Sequence, residues 1–431
     1  MFTSILKTKH SAVLVSSERD LHYVPSHQSK RKLLLYDLRA HNIDRLRYRL
    51  GTYPWEILYD YCSIDQMYDD FVNIVLRIVA ECIPTKTVVL GPKDPEFVTP
   101  LVKVLLKQRY RLRRQGLTSR ANIIAQKINA LISRNRSKSL SKLSTANTKE
   151  LWAAVKKTKS PCHTVNGSKV LREPNAINKY FANIAFKDMY DPSELDHFRC
   201  DKSGDFQPLT NIEVEQLLRN TKLTAAGCDD IPAWLLRSCS FELADVVAYV
   251  LNCSFSSGTV PSCWLNALVT PVPKVPSPVC LSDFRPISVT PHLSRIAEKV
   301  IVHHWLYPAI PADNLVDQYA FKPTGSTTAA LVYFTHQVTK MLEHNKYVRC
   351  LMIDFSKAFD TVDHVILLSK LVQLKSPGFV INWICSFLSG RGQQCKVSGV
   401  LSDSASIGLS IVQGSGIGPT LYLVMYYIGI K

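Results

Sequence analysis

Residues 347–374 carry the pattern that most limits how this chain can fold. Residues 347–355 read YVRCLMIDF, an apolar run that predicts a buried strand with Asp354 at its carboxyl end. A short turn follows, and an apolar face then repeats at helical spacing through Val365, Leu368, Leu371 and Val372. A strand joined to an amphipathic helix predicts a fold that mixes α and β elements.

Asp354 is the first candidate functional residue. A carboxylate at the end of a buried strand is costly unless it is paired or binds a metal. Mg²⁺ in proteins takes one or two carboxylates together with substrate phosphates, so Asp354 is a candidate ligand. An aspartate that caps the following turn would show the same spacing, and the spacing alone favours neither interpretation.

A second candidate is the segment QGSGIGP at residues 413–419, which has three glycines within five residues. Glycine lets the backbone approach a flat or phosphorylated ligand closely. An ordinary loop is the alternative, because a glycine cluster has little specificity by itself.

Positive charge is concentrated in one part of the chain. The formal net charge is +17, and residues 101–160 contain 16 Lys or Arg against the single acid Glu150. Thr99 and Pro100 predict the start of a helix, and Gly116 predicts its end before a second helix. Such a surface suits a phosphate backbone, although a solvated basic face or a membrane-surface helix would look similar. The predicted nucleic-acid-binding residues of the first helix are Lys103, Lys107, Arg109, Arg111, Arg113 and Arg114.

Composition excludes several classes of protein. The 46% apolar content is too high for a wholly disordered chain. No apolar run reaches the length of about 18 residues that spans a bilayer, and the first ten residues lack the core of a signal peptide. The twelve cysteines form no Cys-x-x-Cys pair, so we expect reduced cysteines rather than a zinc site. We therefore expect an intracellular protein without a membrane partner.

Several segments together resemble a known family. Residues 354–364 (DFSKAFDTVDH) and 413–419 resemble motifs A and B of reverse transcriptases from non-LTR retrotransposons of the LINE-type, jockey-like kind. Further segments occur in the matching order from about residue 205 onwards. They are residues 227–232 (GCDDIP), 284–288 (FRPIS), 296–300 (IAEKV), 318–322 (QYAFK) and 325–331 (GSTTAAL).

The resemblance implies an α+β fold, with the fingers and a partial palm of a right-hand polymerase after a basic helical region. On this basis residues 1–160 are a basic helical connector like that between endonuclease and polymerase, and 161–205 are a linker. Residues 206–346 are the fingers. Residues 347–431 are a partial palm with motifs A and B, in which motif C and the thumb are missing.

The resemblance also implies an activity and its residues. The function is RNA-directed DNA polymerase, with an RNA template, a DNA primer and deoxynucleoside triphosphates as partners, in the nucleus and cytoplasm. Asp354 and the carbonyl of Phe355 would hold Mg²⁺ (or Mn²⁺) in a two-metal mechanism. Phe359 would stack under the incoming sugar and exclude a ribose by size, with core packing as its alternative role. Binding of the nucleotide would involve Lys274, Arg285, Gln413 and Gly414, with a surface ion pair as the alternative for Arg285.

The family's motif C, an aromatic-x-Asp-Asp hairpin, has no counterpart in this sequence, and Val412 replaces the proline of motif B. Asp69-Asp70 and Asp229-Asp230 are not expected to replace it. The first pair belongs to a helix with a capping box at Ser63, where Asp69 points away from the apolar stripe, and the second precedes motif A. One carboxylate cannot hold two divalent ions, so we expect this chain to be inactive as a polymerase. The alternatives are a nucleic-acid-binding remnant without catalysis and a non-functional decayed fragment.

Overall fold

The structure is a computed structural model. It describes residues 31–90, 97–144, 173–184, 191–200, 206–275, 278–322, 325–354, 358–397, 399–412 and 414–427. The chain divides into two compact units, one of residues 1–34 and 87–164 and the other of residues 35–86 and 165–431. Phe355 and Gln413 lie outside the described residues, as does much of the predicted linker. The boundaries of connector, linker, fingers and palm stay predictions.

The described elements of the first 160 residues are mostly helical. β1 and β2 pair in a two-stranded sheet, and the division between the units runs through these strands. The elements are β1 (Arg31–Tyr36), α1 (Ala40–Gly51), a 3₁₀ turn (Trp55–Leu58), α2 (Ile64–Cys82), β2 (Thr85–Leu90), α3 (Pro100–Arg114) and α4 (Thr118–Ser144).

The later elements, up to the first sheet strands, begin with helices. They are α5 (Pro174–Ile184), a 3₁₀ helix (Pro192–Phe198), α6 (Asn211–Arg219), α7 (Ala233–Ser238), α8 (Ser240–Ser257), α9 (Ser262–Leu265), β3 (Asn266–Pro273), a 3₁₀ turn (Leu281–Asp283) and β4 (Phe284–Val289).

The remaining elements alternate helices with short strands. They are α10 (His292–Val300), a π-helical stretch (Ile301–Leu306), α11 (Tyr307–Ala309), a 3₁₀ turn (Ala312–Leu315), α12 (Thr327–Leu342), α13 (His364–Gln373), α14 (Gly378–Leu388), β5 (Gly392–Val397), β6 (Val400–Leu401), β7 (Ala405–Ser406) and α15 (Gly418–Tyr427).

The basic helix α3 begins and ends as the sequence predicts, and α4 follows it after Gly116. The Thr99 side chain accepts a hydrogen bond from the Val102 N–H, and Pro100 occupies the first turn. Gly116 separates the two helices with a φ of +75°. Val102, Leu105 and Ile128 are buried together between them. The prediction of two amphipathic basic helices is confirmed.

Helix α2 confirms the predicted apolar stripe, since Met67, Phe71 and Ile78 are buried. The predicted capping box is wrong: Ser63 occupies the N-cap position, but its side chain makes no capping hydrogen bond. The helix therefore depends on its buried face rather than on a side-chain cap, as is common for amphipathic helices.

A five-stranded sheet lies in the second unit, in the order β4-β3-β5-β6, with β7 paired to β5. β3 and β4 are antiparallel, with Leu268 opposite Val289 at one end and Pro273 opposite Phe284 at the other. β3 and β5 are parallel. Val269 is buried with Phe181 of α5, so α5 covers one face of this sheet. The opposite face carries exposed side chains of β3 and β4.

The main core of the second unit packs aromatic side chains from distant parts of the chain. The largest fully buried side chains include Trp264, Trp383, Tyr68, Phe71 and Phe255. This core packs α2, α8, α10, α14 and α15 against one another. It provides the rigid support on which the candidate site is built.

The predicted strand at residues 347–355 is wrong over the part that the structure describes. Residues 347–354 form no strand, and Leu351, Met352 and Ile353 are 87%, 80% and 74% exposed. A strand is stabilised by a hydrogen-bonded neighbour, and no described strand pairs with this segment. An apolar run indicates a tendency to be buried, but it does not determine whether a neighbouring strand is present to pair with it.

The helix that follows, α13, is present but buries a slightly different face. Leu367, Leu368 and Leu371 are buried, whereas Val372 is exposed.

Among the described residues, no helix combines the length and apolarity needed to cross a membrane.

Candidate functional site

The glycine loop, residues 414–418, lies against β4 and α10. Gly414 has a φ of +115°, and a Cβ placed there would come within 2.6 Å of the Ser288 carbonyl oxygen. A Cβ at Gly416 would lie 3.5 Å from the Glu298 side chain. Glycine at position 414 is therefore required both by the backbone conformation and by the close approach to β4.

Glu298 of α10 is the buried polar centre of this arrangement. One of its carboxylate oxygens accepts hydrogen bonds from the Gly416 N–H and, at 3.2 Å, from the Ile417 N–H. The other oxygen accepts a hydrogen bond of 3.1 Å from the Ser294 hydroxyl. Burial raises the pKa of Glu298, and the hydrogen bonds from the loop, Ser294 and the charge of Arg391 oppose that rise.

Arg391 is buried near this carboxylate. Its guanidinium donates a hydrogen bond of 2.8 Å to the Phe387 carbonyl and lies 4.5 Å from the centre of the Phe387 ring. Burial lowers the pKa of Arg391 to about 10, and the negative charge of Glu298 opposes that change. The two buried groups have opposite charges, and each charge shifts the pKa of the other group.

Sequence reasoning did not single out Glu298 or Arg391. Glu298 appeared only as part of the fingers-like segment 296–300. A signal was present, because Glu298 interrupts the buried apolar face that Leu293, Ile296 and Ala297 form on α10. A charged residue in such a face needs a partner.

Phe359 belongs to an aromatic cluster beside the loop. Its ring stacks on Tyr422 of α15 with centroids 4.7 Å apart, and Phe321 meets it edge-on at 5.8 Å. Its carbonyl accepts a hydrogen bond of 2.9 Å from the Ile411 N–H. These contacts tie the chain after Asp354 to the chain just before the glycine loop. Phe359 remains half-buried, so the sugar-stacking and packing roles both stay predictions.

Arg285 and Lys274 lie on the hairpin of β3 and β4. Arg285 is exposed and lies opposite Val272 on the open face of the sheet. Three residues along the same strand, Ser288 contacts Gly414, which places Arg285 roughly 10 Å along β4 from the glycine loop. The Lys274 ammonium donates a hydrogen bond of 2.8 Å to the Ser282 carbonyl and so braces the hairpin connection.

Asp354 is exposed rather than buried at the end of a strand. Phe355, the predicted second metal ligand, and Gln413, a predicted residue of the nucleotide pocket, lie outside the described residues. Within the described part of the chain, no group of three His, Cys, Asp or Glu side chains could hold a metal ion. Asp363 is occupied as the N-cap of α13, where it accepts hydrogen bonds from the Val365 and Ile366 N–H groups. Asp354 alone would supply a single carboxylate, which fits an Mg²⁺ ion that is also held by substrate phosphates.

In each of the two acidic pairs, one aspartate accepts a hydrogen bond from a tyrosine. Asp70 accepts a hydrogen bond from the Tyr61 hydroxyl, while Asp69 is exposed as predicted. Asp229 is buried and accepts a hydrogen bond of 2.8 Å from the Tyr68 hydroxyl. Burial raises the pKa of Asp229 to about 6.

The first unit presents the basic surface of α3. Lys107, Arg111, Arg113 and Arg114 are exposed, whereas Lys103 and Arg109 are half-buried. The Lys103 ammonium donates a hydrogen bond of 3.0 Å to the Val89 carbonyl. Residues 97–144 contain no Asp or Glu, so acidic side chains of this segment do not neutralise the surface.

Comparison with known proteins gives a specific result. The family model described as reverse transcriptase (RNA-dependent DNA polymerase) matches residues 272–428. That range contains β4, α10, Asp354, Phe359 and the glycine loop. Two of the segments that resemble the family in sequence, residues 284–288 and 296–300, contact the glycine loop through Ser288 and Glu298.

Curated relatives cover more of the chain. The RNA-directed DNA polymerase from mobile element jockey of Drosophila funebris is 24% identical over 97% of this chain and 49% of that protein. Its Drosophila melanogaster counterpart is 28% identical over 50% of this chain and 24% of that protein. The probable RNA-directed DNA polymerase from transposon X-element of Drosophila melanogaster is 25% identical over the same shares. The chain therefore spans half the length or less of these relatives.

Proposed function

We propose that this chain binds a primed RNA template and an incoming deoxynucleoside triphosphate. The proposal is supported by the match of residues 272–428 to the reverse transcriptase family model and by the similarity to polymerases of jockey elements. The observation that carries the proposal is the contact between Gly414 and Ser288. This contact joins the glycine loop to the strand that carries Arg285. A backbone loop and an exposed guanidinium about 10 Å apart along one strand suit a triphosphate, which needs close approach and planar charged donors.

Each predicted residue then has a role at the nucleotide. Arg285 binds the triphosphate, and Lys274 adds positive charge while it braces the hairpin. Gln413 and Gly414 line the base and sugar side of the pocket. Phe359 stacks under the sugar, and its position is fixed by Tyr422 and Phe321. A fixed ring penalises a 2′-hydroxyl by steric overlap, which selects deoxynucleotides.

Asp354 and the carbonyl of Phe355 would hold Mg²⁺ or Mn²⁺. When bound, a pair of such ions activates the primer 3′-hydroxyl and stabilises the leaving pyrophosphate. Two ions need more carboxylates than Asp354 supplies, and residues 1–431 contain no aromatic-x-Asp-Asp segment. We therefore expect this chain by itself to bind substrates without extending a primer.

The basic surface of α3 supports a contribution to nucleic-acid binding that does not depend on catalysis. Lys107, Arg111, Arg113 and Arg114 would contact the phosphate backbone of the RNA, with Lys103 and Arg109 at the edge of the surface. Contacts of this kind release counterions and give a steep dependence of affinity on salt.

The test of the nucleotide site is a pair of glycine substitutions. Gly414→Ala should weaken the binding of dTTP with Mg²⁺ at least tenfold, because the added Cβ meets the Ser288 oxygen. Gly399→Ala is the matched control, since Gly399 also has a positive φ, +88°, but its Cβ would meet nothing within 4 Å. Isothermal titration of both variants and the wild type measures the effect. Equal affinities in all three proteins would refute the proposed site.

A further inference from the structure

Burial of the Glu298 carboxylate costs free energy, and the surroundings on its own helix, α10, do not explain why this cost is tolerated. The Glu298 side chain is fully buried on α10, next to the buried Ile296 and Ala297. A carboxylate in such surroundings is strongly destabilising unless hydrogen bonds and an opposite charge compensate it. Among the described residues, the hydrogen-bond partners of its side chain outside α10 are backbone N–H groups of the glycine loop.

These N–H groups belong to Gly416 and Ile417, which directly precede α15. The carboxylate there also faces the positive end of the helix dipole of α15. Each bond joins a charged acceptor to a neutral donor, and such bonds are stronger than bonds between neutral groups. The loop is thus fixed at two points, by Ser288 at Gly414 and by Glu298 at Gly416 and Ile417.

We propose that Glu298 is a positioning residue that holds the glycine loop in the conformation that receives the nucleotide. This inference rests on the proposed function, because the loop is the predicted wall of the nucleotide pocket. Glu298 itself touches no substrate in this account. It acts through the backbone of Gly416 and Ile417.

The positive charge of Arg391 partly compensates the cost of burying the Glu298 carboxylate. Arg391 supplies a buried positive charge near the carboxylate while its own guanidinium is held by Phe387. Ser294 occupies the remaining carboxylate oxygen, so the acid is directed at the loop rather than free to rotate.

Hydrogen exchange of the loop amides tests the contact directly. In Glu298→Ala, exchange of the Gly416 and Ile417 amides should accelerate about tenfold to a hundredfold, the range expected for loss of a charge-assisted bond. In Glu298→Gln, the side-chain amide oxygen can still accept, so most of the protection should return. Glu215→Ala, which removes a carboxylate on α6 that pairs with Arg219, is the control and should leave both amides unchanged.

Unchanged exchange at Gly416 and Ile417 in Glu298→Ala, with the core amides of α8 still protected, would refute the inference. If Glu298→Ala does not fold, Glu298→Gln decides the question. The comparison is then between Glu298→Gln and the double variant Glu298→Gln, Gly414→Ala, in which the added Cβ opens the loop. Stronger protection of the Gly416 and Ile417 amides in the folded Glu298→Gln protein supports the contact. A Gln variant with fully exposed loop amides contradicts it.

Nucleotide affinity then separates this inference from the proposed function. Glu298→Ala should weaken the binding of dTTP with Mg²⁺ at least tenfold, Glu298→Gln should recover most of that loss, and Glu215→Ala should have no effect. A purely structural role would not predict rescue of ligand affinity by the amide. Wild-type protein that binds no dTTP would refute the proposed function and the pocket role together. Binding of dTTP that is indifferent to Glu298 would refute only the positioning role.

Discussion

Replacing Asp229 with Asn should stabilise the folded protein at neutral pH. Asp229 is buried and accepts hydrogen bonds from the Tyr68 hydroxyl and the Ile231 N–H. The two bonds end on different carboxylate oxygens. Asparagine has the same shape: its side-chain oxygen can accept the bond from the Ile231 N–H, and its NH2 group can donate to the Tyr68 hydroxyl oxygen. The substitution therefore removes a buried charge while it keeps the packing and the hydrogen bonds.

The pKa of Asp229 gives the magnitude. Burial raises this pKa from 3.8 to about 6, so the folded state binds a proton more tightly than the unfolded state. Between these two values the stability contributed by Asp229 falls as pH rises, because the unfolded chain ionises first. At 1.36 kcal/mol for each pKa unit, the ionised carboxylate costs the fold about 3 kcal/mol above pH 6.

The assay is urea unfolding of the wild type and Asp229→Asn at pH 3.5 and pH 7.5. The two proteins should have similar free energies of unfolding at pH 3.5, and the variant should be about 3 kcal/mol more stable at pH 7.5. The wild type and the variant must be compared at each pH, because a second group titrates in the same range. Burial lowers the pKa of His292 to about 4, so the contribution of His292 to the stability of both proteins falls as pH falls.

Asp230→Asn is the matched control, since Asp230 is adjacent in sequence and exposed. This variant should not reproduce the gain. A variant Asp229→Asn that is as stable as the wild type at pH 7.5, or less stable, would refute the argument that burial dominates at this site.

Three further predictions concern ligands. Arg285→Ala should weaken dTTP binding about tenfold in isothermal titration, as expected for the loss of a charge-assisted hydrogen bond. The control Arg219→Ala on α6 should leave dTTP binding unchanged. Equal losses of affinity in both variants would show that Arg285 does not bind the nucleotide. The triple variant Arg111→Ala, Arg113→Ala and Arg114→Ala should lower the slope of log affinity against log salt by about 2 on single-stranded RNA, and an unchanged slope in filter binding would exclude α3 as the RNA surface. Phe359→Val should bring the affinities for dTTP and UTP closer together, and a ratio equal to that of the wild type would leave Phe359 with the packing role alone.

The helices were predictable because their signals are local. Thr99 and Pro100 mark the start of α3, and Gly116 its end, by conformational preferences that act within a few residues. The apolar stripe of α2 likewise repeats within one segment. The Ser63 capping box failed because a suitable pair of residues does not oblige its hydrogen bonds to form.

The strand prediction at residues 347–355 failed for a different reason. Local sequence reports that Leu351, Met352 and Ile353 are apolar, but strand formation depends on a neighbouring strand that local sequence cannot specify. Asp354 therefore appears in an exposed segment rather than at the end of a buried strand.

The candidate site was predictable only in part. The glycine loop and Arg285 were recognisable from residue type and order. The contact between Gly414 and Ser288 joins residues far apart in sequence, as does the contact of Glu298 with Gly416. Distances of this kind are set by the packing of α10 and α15 in the common core, and no local pattern encodes them.

RNA-directed nucleotide binding by this chain is tested by asking whether an RNA template selects the nucleotide. The chain is mixed with a DNA primer annealed to RNA whose next template base is adenine, with Mg²⁺, and the affinities for dTTP and dCTP are measured by titration. The proposed site should bind dTTP more tightly on this template, and the preference should pass to dCTP when the template base is changed to guanine. Equal affinity for both nucleotides on both templates would contradict RNA-directed nucleotide binding by this chain.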